Sequence, residues 1–264
     1  MERNAPIGVM DSGIGGLSVV AALMQILPTE NIIYFGDTAN CPYGNKSNEE
    51  LLRLSGNMLR FLESRGIKCL ALACNTTSAL ADILRAQFQV PIITVAECAA
   101  DAIGGMSISD VGLIATVSTA RSGIYEKRIH AIAPNTRVYS AGSPNLAALV
   151  ENHQCSTALL EAEIHSCLDE MVQNGKVRHV ILGCTHYPII RDVFERIYPD
   201  VIFLDPAPFQ AEAVSAFLSD NSALNHAEER PTLTVYTTGT AAGFKKACTQ
   251  LGLDKHYAVT VQEI

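Results

Sequence analysis

Two cysteines stand in similar surroundings, one in each half of the chain. Cys74 follows the apolar run 70–73 and precedes Asn-Thr-Thr, while Cys184 follows the run 180–183 and precedes Thr-His-Tyr-Pro. A cysteine at the carboxyl end of a strand lies where open α/β sheets bind their ligands. Two such thiols facing one substrate could remove a proton from one side of a carbon atom and return it to the other. The alternative interpretations are a single nucleophilic cysteine and two inert, buried cysteines.

A helical pattern follows each of these cysteines in the sequence. A thiol at the N-terminus of a helix has a pKa below its ordinary value of about 8.5, because the positive end of the helix dipole stabilises the thiolate. The pattern therefore predicts one thiol that acts as a base near neutral pH, with a partner that keeps its proton and acts as an acid.

His186 lies two residues beyond Cys184. An imidazole at that position is a candidate second acid or base, or a clamp for the substrate. A Cys-x-His pair alone lacks the further ligands of a zinc site, and the sequence spacing indicates none elsewhere. We therefore predict no metal.

Two polar segments follow the first two predicted strands. Asp11-Ser12 precedes glycines at 13, 15 and 16, but position 18 is serine where a dinucleotide-binding fingerprint needs glycine. We expect a tight turn that holds Asp11 and Ser12 over the cleft, the alternative being a turn that only serves the fold. The loop 36–47 is too long for a simple turn and lacks the spacing of a P-loop. Tyr43-Gly44 within it could offer a hydroxyl and a backbone amide to a carboxylate.

The composition is that of a folded protein with a sizeable core. The chain has 264 residues, 48% of them hydrophobic, and a net charge of −8. An acidic balance argues against nucleic acid or an anionic membrane surface as partner, and no apolar run approaches the roughly 18 residues of a membrane span. We expect no signal peptide, and hence a cytoplasmic location with reduced thiols. The eight cysteines include no Cys-x-x-Cys pair, and we expect Cys69, Cys167 and Cys248 to be small buried hydrophobes.

Short apolar runs alternate with helical patterns along the whole chain, which predicts parallel sheets covered by helices. The predicted strands span residues 7–10, 32–35, 69–73, 92–95, 111–115, 137–139, 180–182, 201–204 and 233–236. A helix is predicted from Ser47 to Arg65, with a capping box at Ser47–Glu50 and Gly66 after its end. The chain is expected to cross between two lobes near residues 97–98 and 205–208. The first lobe would then comprise residues 1–96 and 208–264, and the second lobe residues 97–207.

These motifs together resemble the glutamate racemases of the cofactor-independent aspartate/glutamate racemase superfamily. The resemblance covers essentially the whole chain and rests on the segments 11–16, 36–38, 42–47, 73–79 and 182–188. It implies an α/β fold of two pseudo-symmetric lobes, each a mainly parallel sheet flanked by helices, with the active site in the cleft between them. It implies racemisation of glutamate without pyridoxal phosphate or metal, supplying D-glutamate for peptidoglycan. Members are often homodimers, although no surface stripe here predicts an interface.

The resemblance also implies roles for individual residues. By analogy, Cys74 takes the α-proton of D-glutamate and Cys184 that of L-glutamate, while Asp11 and His186 assist the two thiols. The implied catalytic set is Cys74, Cys184, Asp11, His186, Asp37 and Glu151. The implied substrate contacts are Asp11, Ser12, Pro42, Tyr43, Gly44, Asn75, Thr76, Thr185 and His186.

Three segments depart from the family pattern, at 96–98, at 143–146 before Glu151, and at 205–208. They leave open a racemase of the same superfamily that acts on aspartate or another amino acid. A hydrolase or decarboxylase on this scaffold would need only one essential thiol, so losing Cys74 or Cys184 would have unequal effects. A non-catalytic amino-acid-binding protein would bind its ligand without exchanging the α-proton.

Overall fold

The strands form two parallel sheets, which confirms the predicted α/β fold. The computed structural model describes residues 2–151, 156–173 and 177–264. The strands within these residues are β1 Ile7–Asp11, β2 Ile32–Gly36, β3 Cys69–Leu72, β4 Ile92–Thr94, β5 Asp110–Thr116, β6 Arg137–Ser143, β7 His179–Gly183, β8 Ile202–Leu204, β9 Thr232–Thr237 and β10 Ala258–Glu263.

Helices connect the strands, as parallel pairing requires. They are α1 Leu17–Ile26, α2 Asn48–Ser64, α3 Asn75–Ser78, α4 Ala81–Gln87, α5 Val95–Gly104, α6 Val117–Ser122, α7 Ile124–Ile132, α8 Leu146–Glu151, α9 Thr157–Gln173, α10 Arg191–Ile197, α11 Pro206–Asp220, α12 Ala241–Gln250 and α13 Leu253–His256. Short 3₁₀ turns cover Thr38–Asn40, Tyr43–Asn45 and Tyr187–Ile190. Within the described residues, no helix has the length and apolar character needed to cross a membrane.

The two sheets repeat one strand order. The first runs β10-β9-β2-β1-β3-β4 and the second β6-β5-β7-β8. The order β2-β1-β3-β4 therefore corresponds to β6-β5-β7-β8, and β3 occupies the same place in its sheet as β7. Apolar clusters lie against the helices on both faces of each sheet, as expected for parallel strands buried on both sides. This correspondence gives the two strand-end cysteines equivalent positions.

The nine strands predicted from the sequence are present, with ends that differ by up to four residues. β10 was not predicted. Its exposed and half-buried residues alternate along an edge of the six-stranded sheet, so it lacks the continuous apolar run that marks the central strands. The alternating pattern Ala-Val-Thr-Val-Gln at residues 258–262 could have predicted this strand.

Helix α2 forms for the predicted reasons. The Ser47 hydroxyl accepts a hydrogen bond from the Glu50 amide at 3.2 Å, which satisfies one of the free N–H groups at the helix start. Gly66 beyond its end has a φ of +72°, a conformation that favours glycine. The second half of the predicted capping box is replaced by an ion pair, in which Lys46 Nζ lies 2.8 Å from Glu50 Oε1.

Two helices carry the chain between the sheets. The chain leaves the six-stranded sheet after β4, passes through α5, and returns after β8 through α11, which packs against α5. Gln210 of α11 is fully buried and donates hydrogen bonds to the carbonyl oxygens of Leu72 and Ile93, at 3.1 and 2.8 Å. These contacts fix α11 against β3 and β4. The division into lobes at residues 96/97 and 207/208 stays a prediction.

Candidate active site

The two cysteines lie at the carboxyl ends of corresponding strands. Cys74 is the second residue after β3, Cys184 directly follows β7, and both side chains are buried. The six-stranded sheet therefore supplies one thiol and the four-stranded sheet the other. Among the other cysteines, Cys69 and Cys248 are buried as predicted, whereas Cys167 is only half-buried.

Both thiols line one small cavity. Eight of the nine predicted substrate-contact residues line it as well, and Asp11 lies just outside its lining. These eight are Ser12, Pro42, Tyr43, Gly44, Asn75, Thr76, Thr185 and His186. The cavity measures about 10 Å³, which is room for about one water molecule. An amino acid therefore fits only after the surrounding segments have moved apart.

The electrostatic setting of Cys74 differs from the sequence-based expectation. Burial, and next the charge of Asp11, raise the pKa of the Cys74 thiol to about 12, although hydrogen bonds from Thr77 act in the opposite direction. The predicted lowering by a helix dipole was wrong for this cysteine. The reason is that α3 has only four residues, so it carries little dipole against the loss of hydration. A thiolate formed here is a strong base but a rare species at neutral pH.

Cys184 is in contact with an imidazole. His186 Nδ1 lies 3.5 Å from Cys184 Sγ, and Nε2 of the same ring lies 2.6 Å from Glu151 Oε2. Burial alone would lower the pKa of His186, but Cys184, Cys41 and Glu151 together raise it well above its ordinary value. The ring therefore carries a proton near neutral pH and can donate it to the sulfur or stabilise its anion. A 3₁₀ turn follows here, where the sequence pattern indicated a helix.

Asp11 ends β1 and links the two sheets. Its carboxylate accepts hydrogen bonds from the amides of Gly13 and Gly16, at 3.3 and 2.9 Å. The Thr185 hydroxyl, from the segment that carries Cys184, donates to it at 3.3 Å. Burial raises the pKa of Asp11, while the charge of His186 acts to lower it. Asp11 thus holds the turn at 12–16 and the neighbour of Cys184 together.

Asp37 is buried, and its carboxylate accepts hydrogen bonds from its own loop and from Thr238, which follows β9. Tyr43 donates to it at 2.6 Å, Thr238 at 2.7 Å, and Asn40 at 2.9 and 3.1 Å. Burial, and then the Asp37 hydrogen bond, raise the pKa of Tyr43, so this phenol remains a hydrogen-bond donor. Asp37 is outside the lining of the cavity and acts on it through Tyr43.

Several residues at the site were not predicted. Thr116 ends β5 and lines the cavity, and its hydroxyl lies 3.1 Å from the hydroxyl of Thr76 and 2.9 Å from that of Thr119. Tyr125 donates to Asn75 Oδ1 at 2.7 Å. Thr116 could have been identified from the sequence as a polar residue at the end of β5. This strand corresponds to β1, which also ends in a polar residue of the site, Asp11. Tyr125 follows no strand and carried no such signal.

Glycines permit close approach between the two halves of the site. A Cβ atom at Gly44 would lie 2.7 Å from Thr116 Cβ, and one at Gly15 would lie 2.7 Å from the carbonyl carbon of Thr185. Real Cβ atoms avoid such distances, so larger residues would push the strand ends apart. Here the glycines allow the two sheets to approach each other at the site.

Cys41 is a third thiol beside the site and was given no role from the sequence. It lies in the loop after β2 and is half-buried, with its sulfur 4.0 Å from the Ser12 hydroxyl. One donor atom each from Cys41, Glu151 and His186 lie within 4.8 Å of one another. Among the described residues this trio has donor types that can hold a metal ion.

Comparison with known proteins identifies the family. The sequence profile of the Asp/Glu/Hydantoin racemase family matches residues 7–214. A glutamate racemase from Desulforudis audaxviator is 38% identical over 253 residues, which cover 92% of each chain.

Solved structures agree with this assignment. Glutamate racemase from Francisella tularensis, crystallised with D-glutamate, is 33% identical with a TM-score of 0.88, over 99% of this chain and 98% of that one. A glutamate racemase isoform from Bacillus anthracis is 32% identical with a TM-score of 0.89, over 100% and 99% of the two chains. An aspartate racemase from Picrophilus torridus shares the fold, with a TM-score of 0.63 and 17% identity over 82% of this chain and 94% of that one. These relatives make the protein an amino-acid racemase, an isomerase. The chain belongs to the Asp/Glu/Hydantoin racemase family.

Proposed function

We propose that the protein interconverts L- and D-glutamate by proton transfer between Cα of the substrate and two cysteine thiols, without a cofactor. The observation that carries this proposal is the pair Cys74 and Cys184, which line one cavity from corresponding strands of two sheets. Glutamate is the proposed substrate because relatives that match nearly the whole chain are glutamate racemases, one of them crystallised with D-glutamate.

The proposed reaction moves one proton from Cα to a cysteine sulfur and another proton from the second cysteine to Cα. With D-glutamate, the Cys74 thiolate takes the α-proton, and the Cys184 thiol donates a proton to the other face of Cα. With L-glutamate the two cysteines exchange these roles. Each turnover leaves the proton on the opposite sulfur, so proton exchange with solvent must restore the starting state.

The surroundings support the removal of a weakly acidic proton. Loss of the α-proton moves negative charge onto the neighbouring carboxylate, and the hydroxyls of Ser12 and Thr76 border the same cavity. Positioned donors of this kind stabilise developing charge. Burial makes the Cys74 thiolate a stronger base than an ordinary cysteine, and exclusion of water maintains that basicity.

The remaining predicted residues have supporting roles in this proposal. His186 supplies charge and a proton beside Cys184, and Glu151 holds its ring. Asp11 positions Thr185, and Asp37 positions Tyr43 next to Gly44.

Substrate would enter when the first lobe (1–96 and 208–264) and the second lobe (97–207) separate. The product D-glutamate would serve peptidoglycan synthesis in the cytoplasm, and the assembly would be a homodimer.

The first experiment uses purified protein with L-glutamate in D₂O and no added cofactor. Circular dichroism follows the loss of handedness, and proton NMR follows the loss of the Cα proton signal. The proposal requires both signals to decay. If both persist with folded protein while L-aspartate is racemised, the substrate assignment is wrong. If neither amino acid exchanges its α-proton, proton transfer at Cα is wrong.

Single variants then test the two-thiol mechanism. Cys74→Ser and Cys184→Ser should each reduce kcat by about 10²-fold to 10⁴-fold, the usual loss on removing a general acid or base. Cys167→Ser, a half-buried cysteine on α9, is the matched control and should retain activity. An unaffected Cys74→Ser or Cys184→Ser variant would overturn the two-thiol mechanism and favour chemistry at a single cysteine.

A further inference from the structure

A mixed group of metal-binding side chains borders the two thiols. Cys41, Glu151 and His186 each bring one donor atom to within 4.8 Å of the others. Thiolate, carboxylate and imidazole are the three ligand types that Zn²⁺ takes in proteins. We propose that Cys41, Glu151 and His186 form a binding site for Zn²⁺, and that the bound ion reversibly inhibits the enzyme. The inhibition rests on the proposed function, whereas the binding does not.

The distances require only small movements. Zn²⁺ bonds to nitrogen, oxygen and sulfur at about 2.0–2.3 Å, so ligand atoms around a tetrahedral ion lie about 3.5 Å apart. The Glu151 Oε2 and His186 Nε2 atoms are 2.6 Å apart and must separate by less than about 1 Å. Cys41 Sγ lies within 4.8 Å of one donor atom of each of the other two residues, so it must approach by at most about 1.3 Å. The ion would take the place of the hydrogen bond that now joins Glu151 and His186.

The three ligands come from separate parts of the fold. Cys41 lies in the loop after β2 of the six-stranded sheet, whereas Glu151 ends α8 and His186 follows β7 of the four-stranded sheet. An ion held by all three would connect the two sheets across the candidate active site. His186 is buried and the other two ligands are half-buried, which reduces competition from water.

Two consequences for activity follow. On binding, the ion occupies the His186 ring that contacts Cys184, so the ring no longer assists that thiol. The bridge also opposes the separation of the two sheets that access to the 10 Å³ cavity requires. Both effects reduce turnover, and both end when a chelator removes the ion.

The test separates metal binding from catalysis. Reduced, full-length protein is titrated with ZnCl₂ by calorimetry, and with CoCl₂ while the near-ultraviolet thiolate-to-cobalt absorption band is recorded. Wild type should bind one ion per chain, and EDTA should remove it. Cys41→Ser should weaken Zn²⁺ binding at least about 10-fold and abolish the cobalt band. Glu151→Gln should weaken binding to a similar degree, and the control Cys167→Ser should leave it unchanged.

Activity assays complete the experiment. Zn²⁺ should inhibit wild type and Cys167→Ser, and EDTA should restore both, whereas the activity that Cys41→Ser has without metal should not change when Zn²⁺ is added. Absence of binding, or binding lost in Cys74→Ser but kept in Cys41→Ser, would refute the site. Cys41-dependent cobalt binding by a protein without racemase activity would instead retain the site and reject the proposed function.

Discussion

The His186 ring is held by Glu151, with Nε2 of the imidazole 2.6 Å from Oε2 of the carboxylate. This contact leaves Nδ1 directed at the sulfur of Cys184, 3.5 Å away. A carboxylate in this position orients the ring and stabilises its protonated form, as in other acid–imidazole pairs. Glu151 therefore acts on the proposed acid through the histidine, which makes it a positioning residue.

Glu151→Gln tests this positioning role. The amide keeps the length of the side chain but loses its charge, so the pKa of His186 should fall. If the imidazolium is needed, activity is lost as pH rises through that pKa, and the variant should lose it at lower pH than wild type. We expect kcat to fall about 10-fold to 100-fold, less than on loss of the general acid itself. The measurement is the pH profile of kcat/KM.

The control for this variant is Glu161→Gln. Glu161 pairs with Arg196 on the surface, with Oε1 2.7 Å from Arg196 Nη2. The Glu161→Gln variant should keep the kcat and the pH profile of wild type. A Glu151→Gln profile that coincides with wild type would contradict the link between Glu151 and His186.

The raised pKa of Cys74 predicts slow alkylation. With a pKa of about 12, the thiolate fraction at pH 8 is on the order of 10³-fold below that of an unfolded cysteine. Because only the thiolate reacts, alkylation by iodoacetamide should rise about tenfold per pH unit below pH 12. Mass spectrometry of the Cys74 peptide measures this rate. The same peptide alkylated in urea is the reference, and equal rates in the two states would disprove the raised pKa.

Local patterns in the sequence predicted the parts of the site that depend on local structure. The apolar runs before Cys74 and Cys184 lie in central strands buried on both faces, so the position of each thiol could be predicted from its own segment. The capping of α2 by Ser47 also involves neighbours in sequence. The pKa of Cys74 could not be predicted, because it depends on burial by distant segments.

Contacts between distant segments were missed for the same reason. Tyr125 reaches Asn75 over 50 positions of sequence, and Cys41 meets His186 and Glu151 only after both sheets have formed. The edge strand β10 has one half-buried side and no apolar run, so its periodicity was too weak to identify it. Charged groups buried as a pair, such as Lys68 and Glu30, have no sequence pattern at all.

Gly15→Ala tests the close approach of the turn after β1 to Thr185, which follows β7. The added Cβ would lie 2.7 Å from the Thr185 carbonyl carbon and 2.8 Å from its oxygen, so the backbone beside Cys184 must shift. We expect a loss of about 1–3 kcal/mol in the free energy of unfolding, together with a lower kcat. Urea denaturation and steady-state kinetics measure the two effects.

The matched control is Gly243→Ala in helix α12, where an added Cβ meets nothing within 4 Å. Alanine there should raise the free energy of unfolding by about 0.5–1 kcal/mol through helix propensity and leave kcat unchanged. Wild-type kinetics in Gly15→Ala would show that the contact between Gly15 and Thr185 does not hold the site.

The buried pair of Lys68 and Glu30 predicts a large loss of stability when one partner is removed. Lys68 Nζ lies 2.5 Å from Glu30 Oε2, and both side chains are at most 1% exposed. Lys68 also donates to the carbonyl oxygens of Arg3 and Ala223, each at 2.9 Å. Glu30→Ala leaves a buried, uncompensated ammonium group, so the free energy of unfolding should fall by about 3–5 kcal/mol. Urea denaturation measures this loss.

An exposed ion pair of equal length provides the comparison. Asp101 Oδ1 lies 2.5 Å from Arg128 Nε, with the two side chains 40% and 47% exposed. Water screens this pair, so Asp101→Ala should cost no more than about 1 kcal/mol. Because the cost at Glu30 comes from the unpaired charge, Glu30→Met combined with Lys68→Met should recover part of the stability lost in Glu30→Ala. Equal losses in Glu30→Ala and Asp101→Ala would contradict the assignment of the large loss to burial of the charge.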